Sequence, residues 1–136
     1  MTTSTAASAD VATVRSMFEA FARGDLDAMS ATFHPDATWN HRNPDRLGGI
    51  HQGPDGIIAF LIESGQLTAG TLRAVPQYVM ADDAGHVAVR VQISGTRPDG
   101  RTFEDLQVLL FTLEDDRVIS VDQYIGEPEA VTAFWA

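Results

Sequence analysis

From Asp10 the apolar positions Val11, Val14, Phe18, Phe21 and Ala22 recur every three or four residues, which predicts a helix with one buried stripe. Ser8 or Asp10 can cap its start, and Gly24 supplies a left-handed stop. Asp25 then caps a second helix carrying Leu26, Met29 and Phe33 on one face. His34-Pro35-Asp36 ends that helix, because a residue before proline is pushed out of the helical region. Ala37 to His41 read as a first strand, and residues 42–52, with Pro44 and Gly48-Gly49, read as a loop. Pro54 opens a third helix whose run Ile57, Ile58, Phe60, Leu61, Ile62 is apolar almost all round, so most of its sides should be covered.

Beyond Gly70 the period changes. Residues 71–80, 86–95, 102–113 and 118–125 are rich in β-branched and aromatic types and read as strands. Asp82-Asp83-Ala84-Gly85, Arg97-Pro98-Asp99-Gly100 and Glu114-Asp115-Asp116 are turn signals between them, and short turns make antiparallel neighbours. The tail from Glu127 predicts one or two helical turns carrying Phe134 and Trp135. Residues 1–9 are small and polar and are expected to be disordered, leaving 10–136 as one domain. Helices followed by a strand meander predict an α+β domain, with helices on one face of a curved, mostly antiparallel sheet.

Composition narrows the function. A net charge of -10, with nine Lys plus Arg spread along the chain, provides no cationic footprint for nucleic acid. No apolar run approaches the ~20 residues of a membrane helix, and the N-terminus lacks a basic and apolar leader. The absence of cysteine excludes disulfides, thiolate catalysis and thiolate metal sites, and it fits a cytoplasmic protein.

Three stretches carry a resemblance: VRSMFEAFARGDLDAMSATFHPDATWNH at the start, the Phe33-x-Pro35-Asp36-Ala37-Thr38 entry to the first strand, and the closing DDRVISVDQYIG. Together they resemble the nuclear transport factor 2-like superfamily, and within it the SnoaL-like group. The resemblance covers roughly residues 10–130 and implies a cone-shaped α+β barrel. It also implies a homodimer and a hydrophobic small-molecule substrate, with no cofactor. The superfamily includes ketosteroid isomerase, limonene epoxide hydrolase and SnoaL-like polyketide cyclases, so it specifies fold better than chemistry.

The superfamily's functional positions fall on altered residues. Where ketosteroid isomerase has its base, this chain has His41; the isomerase's tyrosine donor falls on Met17 and its protonated aspartate on about Gln107. The epoxide hydrolase set falls on Gln92, Arg90 and Gln123, with both carboxylates replaced by amides. Neither reaction is expected by those residue sets. The polyketide-cyclase positions fall on Asn40/His41, Asp105/Gln107, and Gln123 beside Asp122.

Strand alternation separates the faces independently. Ile119, Val121, Gln123 and Ile125 share one face of the last strand, opposite Val118, Ser120, Asp122 and Tyr124. Phe103, Asp105, Gln107, Leu109, Phe111 and Leu113 share a face of the strand before it. A carboxylate in that apolar set is either a structural tie to a helix end or an arginine, or part of a site. Arg90 and Gln92 fall on the side opposite Val87, Val89 and Val91, a solvated or dimer-forming face. His41 is either a proton-transfer group at a pocket mouth or a surface residue entering the loop. His34 should only end its helix, His51 sits in a possible lid loop, and His86 should be exposed. No HxH or HExxH spacing joins the histidines into a metal site.

The sequence therefore predicts a cofactor-independent, metal-free enzyme of SnoaL-like type. Proton transfer would cyclise, isomerise or dehydrate a hydrophobic, oxygenated polyketide- or terpenoid-like molecule. His41, Asp105, Gln107 and Gln123 are the candidate catalytic residues. Asn40, Trp39, Met17, Phe60, Val121 and Tyr124 are the candidate substrate contacts, with Tyr78 and Trp135 as wall or core. The alternative is a non-catalytic binding or dimerisation module of the same fold.

Overall fold

A computed structural model describes residues 5–136. The first four of the residues expected to be disordered lie outside that range; from Thr5 the chain is already helical. Helix α1 (Thr5–Arg23) buries Val14, Met17, Phe18 and Ala20 along one stripe. Gly24 ends it at φ +69°, where the Gly24 and Asp25 N–H groups return to the carbonyls of Phe21 and Ala20. Asp25 then caps α2 (Leu26–Ala31) by accepting from the Ala28 N–H at 3.0 Å. Only Met29 of α2 is buried; Leu26 lies outward, and Phe33 belongs to the next strand rather than to this helix.

Strand β1 (Phe33–Arg42) starts earlier than expected and runs through Pro35, with an irregularity between Phe33 and Thr38. It pairs antiparallel with β2 (Gly49–Gln52), a four-residue strand inside the expected loop, too short to leave a periodic signal. Helix α3 (Gly53–Leu67) has Pro54 in its first turn and buries Ile57, Phe60 and Ser64. Most of its sides are at least partly covered, as expected; the exposed stripe is Asp55, Ala59, Ile62 and Gln66.

The meander follows as β3 (Arg73–Ala81), β4 (His86–Thr96), β5 (Thr102–Glu114) and β6 (Arg117–Tyr124), and α4 (Pro128–Trp135) closes the chain. Six strands form one open sheet in the order β2-β1-β6-β5-β4-β3. All pairs are antiparallel except β1 with β6, so the last strand lies between the first and the fifth. Helices packed on this sheet enclose a core that includes Trp39, Phe60, Phe111 and Trp135. In α4, Val131, Phe134 and Trp135 are buried, and Phe134 stacks on Phe103 at 4.1 Å. No helix among the described residues is long and apolar enough to cross a membrane.

Alternation orders β4 and β5 as expected: Val87, Val89 and Val91 point inward, as do Phe103, Asp105, Gln107, Leu109, Phe111 and Leu113. In β6 it holds for Val121 and Gln123 but breaks at Val118, which is fully buried instead of outward. The cause is a bulge: Thr112 faces Ser120 while Leu113 faces Val118, leaving Ile119 as an extra residue that reverses the phase.

Candidate active site

The sheet and α1 to α4 surround a cavity of about 60 Å³, several times the ~10–15 Å³ that one water needs. Its wall is mostly apolar, with Met17, Met29, Phe60, Leu109 and Trp135 among the lining side chains. The polar exceptions are His41, Ser64, Gln107 and Gln123. Ser64 is spent locally, donating to the Leu61 carbonyl of its own helix at 2.7 Å.

His41, Gln107 and Gln123 belong to one buried hydrogen-bonded chain. Trp39 Nε1 donates to Gln123 Oε1 at 2.8 Å, and His41 Nδ1 meets the same oxygen at 3.1 Å. Gln123 Nε2 donates to Gln107 Oε1 at 2.7 Å, and Gln107 Nε2 donates to Asp105 Oδ2 at 3.0 Å. Asp105 ends the chain by accepting the N–H groups of Gly126 and Glu127 at 3.0 and 2.9 Å. Asp105 is therefore a tie to the start of α4 and does not line the cavity.

At the other end, His41 Nε2 lies 2.9 Å from Asp45 Oδ2, with side-chain exposures of 3% and 0%. Asp45 also accepts from Asn43 Nδ2 at 2.6 Å and from the Leu47 N–H at 2.8 Å. Asn43 Nδ2 reaches on to Thr132 Oγ1 in α4 at 3.0 Å. Burial works against charge on Asp45, but the hydrogen bonds from His41 and Asn43, the His41 charge and the Leu47 N–H outweigh it. The carboxyl is held below the ordinary carboxylate value.

Sequence reasoning did not single out Asp45 or Asn43. Their only trace is the four-residue step from His41 to Asp45 across Pro44. His51 is likewise no lid residue: in β2 it stacks on Phe60 at 4.2 Å and binds the Leu47 carbonyl through Nε2 at 2.8 Å. His34 takes the Asp36 N–H on Nδ1, and His86 is exposed beside Asp82. The three histidines at 34, 41 and 51 thus have separate partners.

Of the expected substrate contacts, Trp39, Met17 and Phe60 line the cavity. Val121 is buried but does not reach it, and two others face away. Asn40 alternates outward between Trp39 and His41, and Tyr124 is 45% exposed on the outer face with Arg42 stacked over its ring. Tyr78 is also outside, at 61% exposure. Asp122 pairs with Arg42 there, so Gln123 is the inward member of the two.

The sequence matches the SnoaL-like domain over residues 14–121. This chain belongs to the SnoaL-like family. An uncharacterized protein of Mycobacterium tuberculosis is 28% identical over 128 residues, covering 94% of this chain and 97% of that protein. Bal32a, from a soil-derived mobile gene cassette, superposes with a TM-score of 0.93 at 27% identity, over 96% of this chain and 99% of Bal32a. TerC, co-crystallized with polyporic acid, has a TM-score of 0.82 at 21% identity, over 93% and 97% of the two chains.

In this SnoaL-like cone the hydrogen-bond directions are determined from both ends. An indole N–H can only donate, so the Gln123 atom facing Trp39 is the oxygen. Its Nε2 then faces Gln107, whose oxygen must accept, and the Gln107 Nε2 meets the carboxylate of Asp105. Both amides are uniquely oriented. Gln123 Oε1 can only accept, so His41 Nδ1 carries hydrogen. The ionised Asp45 also accepts, so a proton on Nε2 satisfies that contact as well. A ring that carries hydrogen on both nitrogens satisfies both contacts.

Proposed function

We propose that this SnoaL-like protein is a cofactor-independent acid–base enzyme acting on a hydrophobic, oxygenated small molecule of polyketide- or terpenoid-like character. The observation that carries the reading is the buried His41–Asp45 pair, whose ring forms part of a mostly apolar cavity wall. Apolar pockets with a few polar groups bind an apolar body and orient it by those groups; at about 60 Å³ this one has to widen to admit a body of that size. The polyporic acid co-crystallized with TerC illustrates an oxygenated ligand in the same fold.

In this mechanism His41 donates the Nδ1 proton toward a ligand oxygen while Asp45 holds the Nε2–H. At a carbonyl, that donation gives the protonated carbonyl, and the α-hydrogen then passes to the vacated Nδ1, leaving the enol and returning the ring to its starting state. At a hydroxyl, it accompanies the departure of water. The neutral ring then has a lone pair on Nδ1 and takes a proton back, which is the base role expected from the sequence. Asp45 and Phe60 hold the His41 donor in place, and Gln107 positions Gln123. Asp105 orients them from the far end without meeting the ligand.

The test is deuterium uptake at the α-carbons of 2-indanone in D₂O, followed by proton NMR. Wild type should accelerate uptake over buffer, and His41→Gln should lose about 10²-fold of that acceleration. Equal rates for the two proteins would rule out His41 as the proton-transfer group.

A second reading concerns assembly, and the outer sheet face favours it. Tyr78, Arg90, Val108 and Tyr124 are successive cross-strand neighbours, and exposed Val75, Met80 and Leu106 extend the patch. A face of this kind, apolar around the Arg90 guanidinium that lies over Tyr78, fits a homodimer of the chain. Light scattering should give a dimer mass that falls to a monomer in Tyr78→Glu/Val108→Glu; a wild-type monomer would overturn it.

A further inference from the structure

We propose that the point where Trp39 Nε1–H and His41 Nδ1–H converge is a subsite for one ligand oxygen, a ketone carbonyl or its enolate, and that Gln123 Oε1 is the side-chain stand-in for it. The inference rests on reading this cavity as the binding site for an oxygenated small molecule.

The two donors reach a single acceptor atom, at 2.8 Å from the indole and 3.1 Å from the imidazole. Both donors are held rigidly. The Trp39 ring packs against Phe33, Phe60 and Phe111, with centroids 6.3, 5.7 and 6.4 Å away. The His41 ring packs edge-on to Phe60 at 5.7 Å and is fixed from behind by Asp45. The acceptor is the adaptable partner. Gln123 carries its carboxamide on three rotatable bonds, and its other tie is a single hydrogen bond to Gln107 Oε1. Rigid donors with a displaceable acceptor are how a protein prepares for an oxygen that arrives with the ligand.

The surroundings select the chemistry of that oxygen. The cavity wall contains no carboxylate, lysine or arginine, and its one charge-bearing side chain is His41. A ligand placed here must bring an acceptor and an apolar body. A protonated amine or other cation would meet two N–H groups pointing the wrong way. An enolate oxygen gains most, because its negative charge would sit directly on two N–H donors, away from competing water. Gln123 sets specificity by competition: a ligand oxygen has to be a better acceptor than an uncharged carboxamide.

The experiment measures binding alone, by isothermal titration of the full chain with 2-indanone and with indane, its oxygen-free analogue. Wild type should prefer the ketone. Trp39→Phe removes one donor and should cut the ketone affinity about tenfold, the size expected for one hydrogen bond, while indane changes by less than about twofold. Gln123→Leu removes the stand-in and should raise the ketone-to-indane affinity ratio. This second variant keeps the test decisive if Trp39→Phe does not fold. A ratio that stays the same in both variants overturns the subsite, even if deuterium uptake still depends on His41. Ketone preference that follows Trp39 and Gln123, with no His41-dependent uptake, supports the subsite and overturns the proton-transfer reading. Failure of both compounds to bind any of the three proteins overturns the subsite and the binding cavity together.

Discussion

Asp45 Oδ2 lies 2.9 Å from His41 Nε2, and neither side chain is more than 3% exposed. Removing one member of such a pair leaves a buried group without its partner. Asp45→Ala should therefore destabilise the fold by about 3–5 kcal/mol, read from urea denaturation. A loss below ~1 kcal/mol would mean that the pair is as weak as an exposed one.

The same pair predicts a pH dependence. The Asp45 carboxyl is held below its ordinary value of 3.8, so it stabilises the folded state fully above that value. Its contribution is lost as pH falls through the lower, folded-state value. The stability difference between wild type and Asp45→Ala should be constant down to mildly acidic pH and shrink only below 3.8. Urea midpoints measured across an acid series check this; a difference that closes near neutrality contradicts it.

Asp10 runs the opposite way. Burial, then the charges of Asp116, Asp83 and Asp82, raise its carboxyl above the ordinary 3.8. Its ionised form is a cost at neutral pH, relieved as pH falls through the raised value and fully absent below 3.8. Asp10→Asn should accordingly be more stable than wild type at neutral pH by a few tenths of a kcal/mol. The advantage should vanish in acid, which parallel thermal melts at the two pH values will show.

These residues also mark where the sequence was legible. The Gly24 stop, the Asp25 cap and the strand turns depend on neighbours a few positions away, so local rules located them. Gln107 and Gln123 were placed inward by alternation, and the same rule puts Asn40 outward once Trp39 and His41 are inside. Val118 escaped that rule because the bulge at Ile119 is a property of pairing with β5 rather than of β6 itself. Asp45 escaped because its position depends on the shape of a loop. That loop closes so tightly that a Cβ at Gly48 would collide with the Asn43 carbonyl oxygen. Asp105 remained ambiguous in the sequence because its partners are backbone N–H groups, which every residue but proline carries.

Gly126 gives a further prediction. A Cβ there would collide with the Leu106 carbonyl oxygen and approach Asp105 Oδ1 to 2.9 Å. Backbone cannot retreat cheaply, so Gly126→Ala should cost about 1–3 kcal/mol. It should also release the Gly126 and Glu127 N–H groups from Asp105, visible as faster amide hydrogen exchange at those two positions. Unchanged exchange would mean that the carboxylate follows the shift and keeps both bonds.

The place of β6 has a consequence for how the molecule comes into being. Trp39 and His41 are 84 and 82 residues from the glutamine they share, because the last strand made is the one that slots beside the first. As the chain is synthesised, β1 waits with only β2 for company, and the indole and imidazole have no common acceptor. Pairings of such long range form slowly and late. The links through Gln123 therefore wait for that closing event, and a chain that stalls before β6 has at most the local ends, Gln107 with Asp105 and His41 with Asp45.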